Sequence, residues 1–264
     1  MLRTRVWTAL IALPALLAII LFAPAAWFAA FIAVVTVWGL YEIGAMAHAQ
    51  TPAAVCGLIA AGGGSAILLA WAPAHLWPIP LVVIIAVLVL VEQVRRGAAG
   101  FATASSRSRL GLSILGGFYV GALFPYFALL RNRAGGVALI IFVLLLVMAS
   151  DTGAYFAGSR MGRTLLAPRV SPKKTVEGGI GGLLLCVVAG LLLNQLLVLR
   201  WGLVRTIALS IAIGILAQLG DLAGSAFKRS AGVKDSGWIF PGHGGLIDRT
   251  SSMVFAVVMA YYCA

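Results

Sequence analysis

Charge is what this sequence has least of. Only 10% of its 264 residues are Asp, Glu, Lys or Arg, where a soluble domain carries about 25%. With 62% of the chain hydrophobic, too little polar surface remains to cover a core in water, and a soluble globular fold is excluded. Cysteine is also scarce. Cys56, Cys186 and Cys263 fall in apolar runs without pair spacing, which argues against a disulfide framework or a thiolate metal site and reads them as core residues. No internal repeat is visible, and that counts against the paired halves of a secondary transporter. Acids are the rarest charge, seven against 19 bases, for a net +12. No nucleic-acid partner is expected for a chain of this kind.

What is present is a series of long runs without any charge. Residues 6–41, 43–91, 110–130, 134–150, 178–199, 206–220 and 250–264 contain no Asp, Glu, Lys or Arg, and a spanning helix takes about 20 apolar residues. The first run holds two helices, broken near Ala23-Pro24. The second also holds two, broken at APAHLWPIP (72–80), where Pro73, Pro78 and Pro80 mark a turn and Trp71 and Trp77 suit an interface. The others hold one each. The last run is only 15 residues long, so its helix is expected to start inside the preceding polar stretch, and the helix of 206–220 to reach back past Arg205. The N-terminus, MLRTRVWTALIALPALLAIILFAPAA, has the outline of a secretory signal. Because a second span follows at once, it is read as an uncleaved first helix. The expected fold is therefore an all-α polytopic integral membrane protein with about nine transmembrane helices. Residues 1–130 would hold about five spans, and 131–264 a C-terminal catalytic domain with polar motifs at 150–178 and 220–251.

Positive residues collect on the cytoplasmic side of short loops. With the N-terminus inside, 15 of the 19 bases fall on that side, leaving Arg131, Arg133, Arg200 and Arg205 outside. All seven acids sort the same way: Glu42, Glu92, Asp151, Glu177, Asp221, Asp235 and Asp248. A basic patch for anionic lipid would be weakened by those carboxylates. Mixed charge on one face suits a site that holds a metal and an anion together.

Three segments carry the polar residues. In MASDTGAYFAGSRMGR (148–163) a spanning helix runs into Asp151. In RVSPKKTVEGG (169–179), Ser171 and Pro172 predict a helix start with Lys173 and Lys174 in its first turn. Cations there run against the helix dipole unless an anion is to be bound, although two lysines can equally be plain cytoplasmic anchors. In AQLGDLAGSAFKR (217–229), a continued helix places Gln218, Asp221, Ser225 and Lys228 on one face. An acid within a span is costly and marks Asp221 as a functional candidate. GVKDSGWIFPGHGGLIDR (232–249) follows, where Gly242, Gly244 and Gly245 let backbone amides approach an anion. Asp221 and Asp248 are hard oxygen ligands of the kind Mg²⁺ takes. His243 is a possible general base or a turn residue.

From Ser225 to Arg249 the pattern S-x-F-K-R-x4-K-D-x-G-x2-F-P-x-H-G-G-L-x-D-R resembles the signature of the phosphatidate cytidylyltransferases, or CDP-diacylglycerol synthases. S-D-T-x-A-Y (150–155), S-P-K-K-T-x-E-G (171–178) and G-D-L (220–222) are similar to further motifs of that family. The chain departs from the pattern at three positions: Ser251 where the family has Asp, Gly224 where many bacterial members have Glu, and Ser230 where many have an acid. Ser251 bears most on activity. The resemblance implies that CTP and phosphatidate give CDP-diacylglycerol and pyrophosphate at the inner (cytoplasmic) membrane, for phospholipid biosynthesis. Two polyanions must then meet, and the reacting phosphate is already ionised, so catalysis is positioning and charge neutralisation rather than base chemistry. On that reading Asp221, Asp248, Lys228 and Lys234 are catalytic. Asp221 and Asp248, with Asp151 third, hold Mg²⁺. Lys173, Lys174, Arg229, Ser225, His243, Gly244, Gly245 and Arg249 meet substrate phosphates. A second, monovalent cation, a homodimer and an inactive relative stay open. So do two other readings: a CTP-dependent lipid kinase and a transporter for an anionic solute.

Overall fold

A computed structural model describes residues 2–47, 106–239 and 244–263, with side chains from residues 10 and 112 onward in the first two segments. The spans expected between 48 and 91, together with Cys56, Trp71, Trp77, Gly242 and His243, lie outside the described residues. The described residues are helical almost throughout. Helix α1 (Leu2–Phe22) is followed by α2 (Ala25–Met46), then α3 (Ser106–Leu123), α4 (Pro125–Arg131) and α5 (Gly136–Met161). A hairpin of β1 (Leu165–Ala167) and β2 (Ser171–Thr175) leads to α6 (Val176–Leu196), α7 (Leu203–Ser230) and α8 (Ile247–Cys263). Among the described residues five stretches are long and apolar enough to cross a bilayer: Ala25–Met46, Leu112–Arg131, Gly136–Met161, Val176–Leu196 and Leu203–Ser230. This is a multi-pass membrane protein.

Helix boundaries follow local chemistry. Pro24 has no N–H to continue α1 and stands at the N-cap of α2. Pro125 similarly divides the run 110–130 into α3 and α4, with Pro at the first helical positions of α4. Helix α7 begins before Arg205, and α8 begins at Ile247 within the polar stretch, as the short apolar runs require. Helix α5 continues ten residues beyond Asp151 to Met161.

Two expectations fail. The helix after Arg169 does not start at Ser171-Pro172. Those residues and both lysines form β2, antiparallel to β1 with Leu165 opposite Thr175 and Ala167 opposite Ser171. Thr175 is the actual N-cap, its Oγ1 accepting from Gly178 N at 3.1 Å. Glu177 in the first turn accepts from the amides of Arg163 and Thr164 at 3.1 Å each, tying the hairpin entry to the helix. A cap with two such partners outcompetes the Ser-Pro start. Cys263, expected in the core, is exposed at the end of α8, whereas Cys186 is buried as expected.

Packing of α5, α6 and α7 depends on small residues. Gly178, Gly182, Cys186 and Gly190 recur every fourth residue as the buried face of α6. A methyl on Gly182 would stand 2.7 Å from Ser150 O, and one on Gly214 of α7 2.8 Å from Leu183. In lipid, where apolar burial alone does not drive helices together, such close backbone approach is the main source of association. On the other side, Tyr119 of α3 stacks near Phe227 (5.2 Å) and edge-on to Phe255 (5.7 Å), joining α3, α7 and α8.

Candidate functional site

Two clusters of opposite charge lie along α7. The first opens on a cavity of about 420 Å³ between α5, the hairpin, α6 and α7. Asp151 reaches it from α5, Lys173 and Lys174 from β2, Gln218 and Asp221 from α7. Lys174 Nζ lies 2.6 Å from Asp221 Oδ2, with both side chains partly exposed. Gln218 donates to Gly179 O at 3.0 Å and so fixes this stretch of α7 against the start of α6. A methyl on Gly179 would come within 3.0 Å of the Gln218 side-chain oxygen, so the glycine keeps this approach open. Asp151 faces the same cavity as Asp221 and Lys174.

The second cluster is closed. Lys228 Nζ donates to Asp248 Oδ1. Oδ2 of Asp248 accepts from Ser236 N at 2.8 Å and Gly245 N at 2.9 Å. Burial by itself would raise the Asp248 carboxyl, but Lys228 and the Gly245 and Ser236 amides outweigh it and hold it below its ordinary range. Beneath it lies Glu42 of α2, only 2% exposed. Its oxygens accept from Leu246 N (2.7 Å), Ser236 Oγ (2.7 Å), Ile247 N (3.1 Å) and Trp38 Nε1 (3.2 Å). Ser236 Oγ is also 3.1 Å from Asp248 Oδ2, so one hydroxyl joins the two carboxylates. The glycines permit this. Gly244 sits at φ +83, and a methyl there would meet Asp248 Oδ2 at 2.5 Å. One on Gly245 would strike Ser236 Oγ and both Glu42 oxygens.

The structure thus sorts the expected site residues. Asp151, Lys173, Lys174 and Asp221 share the open cavity. Lys228, Gly244, Gly245 and Asp248 form the closed cluster, and the amide of Gly245, expected to face a substrate phosphate, is taken by Asp248. Arg229 closes the end of α7 by donating to Val233 O at 3.2 Å. Ser225 is half-buried on α7 between the clusters, Lys234 is exposed on the loop, and Arg249 is exposed in the first turn of α8. Asp248 is not placed with Asp151 and Asp221 at the cavity. Among the described residues no three His, Cys, Asp or Glu side chains converge as a metal cage.

Sequence reasoning missed Glu42 as part of the site. Its signal was available: it is the only charge between residues 6 and 91, and a lone acid in so long an apolar run demands partners. Ser236, hidden in the loop, carried no such signal.

Helices long enough to span a bilayer, with a mixed-charge cavity and a glycine-lined carboxylate cluster where several of them end, define a multi-pass membrane protein with a polar site. The chain belongs to the cytidylyltransferase family, whose profile matches residues 3–264. It is 42% identical over 139 residues to a phosphatidate cytidylyltransferase of Staphylococcus epidermidis, covering 53% of each chain. The protein of that name from Bacillus subtilis is 36% identical over 154 residues, which is 58% of this chain and 57% of that one. The one from Staphylococcus aureus is 40% identical over 139 residues, again 53% of each. The matched segment spans a little over half the length of these relatives.

Proposed function

We propose that this chain transfers the cytidylyl group of CTP to phosphatidate, releasing pyrophosphate and leaving CDP-diacylglycerol in the inner membrane, with the polar site on the cytoplasmic side. The observation that carries the reading is the open Lys174–Asp221 pair, beside Lys173 and Asp151, in a cavity at the helix ends. Anions and a divalent cation can both find partners there without disturbing the fold. The relatives' names supply the substrates.

Magnesium fits the donor set. Mg²⁺ is typically held by one or two carboxylates and completed by water and substrate phosphates rather than by an all-protein cage. Asp221 and Asp151, which line the same cavity, are such a pair. When bound, it would neutralise charge on the phosphates of CTP. Asp248 joins as a ligand only if Lys228 leaves Oδ1 for a phosphate, because Oδ2 is held by backbone amides. Lys174 would release Asp221 and, with Lys173 beside it, meet the triphosphate. Lys228, two helical turns along α7, would meet the lipid phosphate, with Lys234 and Arg249 flanking it. The nucleophile is an ionised phosphate oxygen, so these residues position and neutralise, and none has to remove a proton.

The test is mass spectrometry of the lipids after incubating detergent-purified protein with phosphatidate, CTP and Mg²⁺, with and without EDTA. CDP-diacylglycerol and pyrophosphate are expected in equal amounts, and neither with EDTA. No lipid product from folded protein, or a phosphorylated lipid formed when diacylglycerol replaces phosphatidate, would overturn the reading.

A further inference from the structure

A second cavity, of about 360 Å³, runs between α1, α2, α4, α5 and the start of α8, and shares no lining residue with the Asp221 cavity. Its walls are aliphatic and aromatic, with Ile20, Phe28, Ile140, Leu246 and Met253 among them. The single charged residue in the lining is Arg249, next to Asp248. The lining follows α1 from Ala12 to Ile20 and α2 from Phe28 to Val35, about 10–12 Å at 1.5 Å per helical residue.

A narrow apolar slot of this length with one cation at its polar end complements an amphiphile with an anionic head. A soluble anion would make no use of the walls, and an uncharged hydrocarbon none of the arginine. We infer that this groove holds one acyl chain of an anionic phospholipid, with Arg249 meeting the head-group phosphate. The groove reaches the neighbourhood of the closed cluster, since Leu246 and Arg249 line it and flank Asp248 in the chain. The identity of the lipid as phosphatidate rests on the proposed reaction; the groove itself rests on its lining. Helices α1 and α2 thereby form one wall of the lipid site, and the two substrates approach from different cavities, nucleotide by the hairpin and lipid by α1 and α2.

The full chain in phosphatidylcholine nanodiscs would be photolysed with phosphatidate bearing a diazirine at the end of one acyl chain, and the adducts mapped. Labelling is expected on α1 and α2, at Leu16 and Phe31, suppressed by excess phosphatidate and not by excess phosphatidylcholine. Arg249→Gln should weaken that labelling, and Ala12→Phe, which narrows the groove, should raise the KM for long-chain phosphatidate on the order of tenfold with that for CTP unchanged. Adducts spread evenly over lipid-facing helices, or competed equally by both lipids, would overturn the groove, and the wild-type map decides this even if Ala12→Phe does not fold. Specific labelling without any cytidylated product would sink the proposed reaction and leave the groove. Product formation with no labelling in the groove would sink the groove alone.

Discussion

The two charged clusters on α7 use the same residue types for opposite purposes. Lys174 and Asp221 are 27% and 38% exposed and pair with each other. Lys228 and Asp248 are 15% and 5% exposed, and Asp248 has further partners in two backbone amides and a hydroxyl. An open pair can exchange its partner for a solute at little cost to the fold. In the saturated one only Lys228 is able to turn to a solute, because an Asp248 that moved would leave the Ser236 and Gly245 amides unpaired in a buried setting. Free capacity, rather than residue type, separates a binding carboxylate from an organising one.

That contrast can be broken most directly at its extremes. Asp221→Asn should cut turnover on the order of 10²–10³-fold, the range typical of removing one key electrostatic contact, with the thermal unfolding midpoint almost unmoved. Glu42→Ala should do the reverse first. Removing its carboxylate leaves the buried Leu246 and Ile247 amides without their acceptor, a loss of about 2–5 kcal/mol that lowers the melting point in detergent and frees the loop to proteolysis. A stable Glu42→Ala protein, or an Asp221→Asn protein that unfolds, would show that the roles have been assigned the wrong way round.

How much of this was legible in the sequence depends on whether the information was local. Charge-free runs found the spans because the bilayer imposes a length, and Pro24 marked the break between α1 and α2. The face of Gln218 and Asp221 was readable because α7 is one uninterrupted helix. The position of Lys174 was not, since Ser171-Pro172 is a good helix start and only the pairing of β1 with β2 and the cap at Thr175 decide against it. Nor was the partnership of Glu42 with Leu246, which joins residues 204 apart. Asp248 looked like a free ligand because sequence does not show what already binds it.

Ser251 sharpens the comparison further. The family pattern places Asp there, yet Ser251 is 4% exposed, and its Cβ faces Gly224 so closely that a methyl on the glycine would sit 2.7 Å from it. Ser251→Asp should therefore destabilise by about 1–3 kcal/mol, from overpacking and a buried polar group, and should not raise activity. Pairing it with a larger residue at Gly224 should make matters worse. Higher turnover from Ser251→Asp would instead mean that α7 and α8 can separate to admit a carboxylate.

A smaller effect is expected from acid. Because the Asp248 carboxyl is held below its unfolded value, its cluster contributes fully above the ordinary carboxylate range near pH 4 and loses that contribution as pH falls through and below it. Thermal melts between neutral and acidic pH should show this loss, and Asp248→Asn should flatten that part of the profile.

The smallest effect is expected at Lys173. It is exposed on β2 and lines the open cavity, but unlike Lys174 it does not pair with Asp221. An exposed cation acts on a polyanion through a field that salt screens within about 8–10 Å at physiological ionic strength. Lys173→Ala should therefore raise the KM for CTP by only about two- to fivefold at low salt, and the difference should fade as salt is added. Lys174→Ala should resist that screening, because its charge works at 2.6 Å from Asp221. Identical salt dependence for the two variants would mean that the cavity is more open than its ion pair implies, and that Lys174 too is an exposed guide for the nucleotide and not a partner waiting to be exchanged.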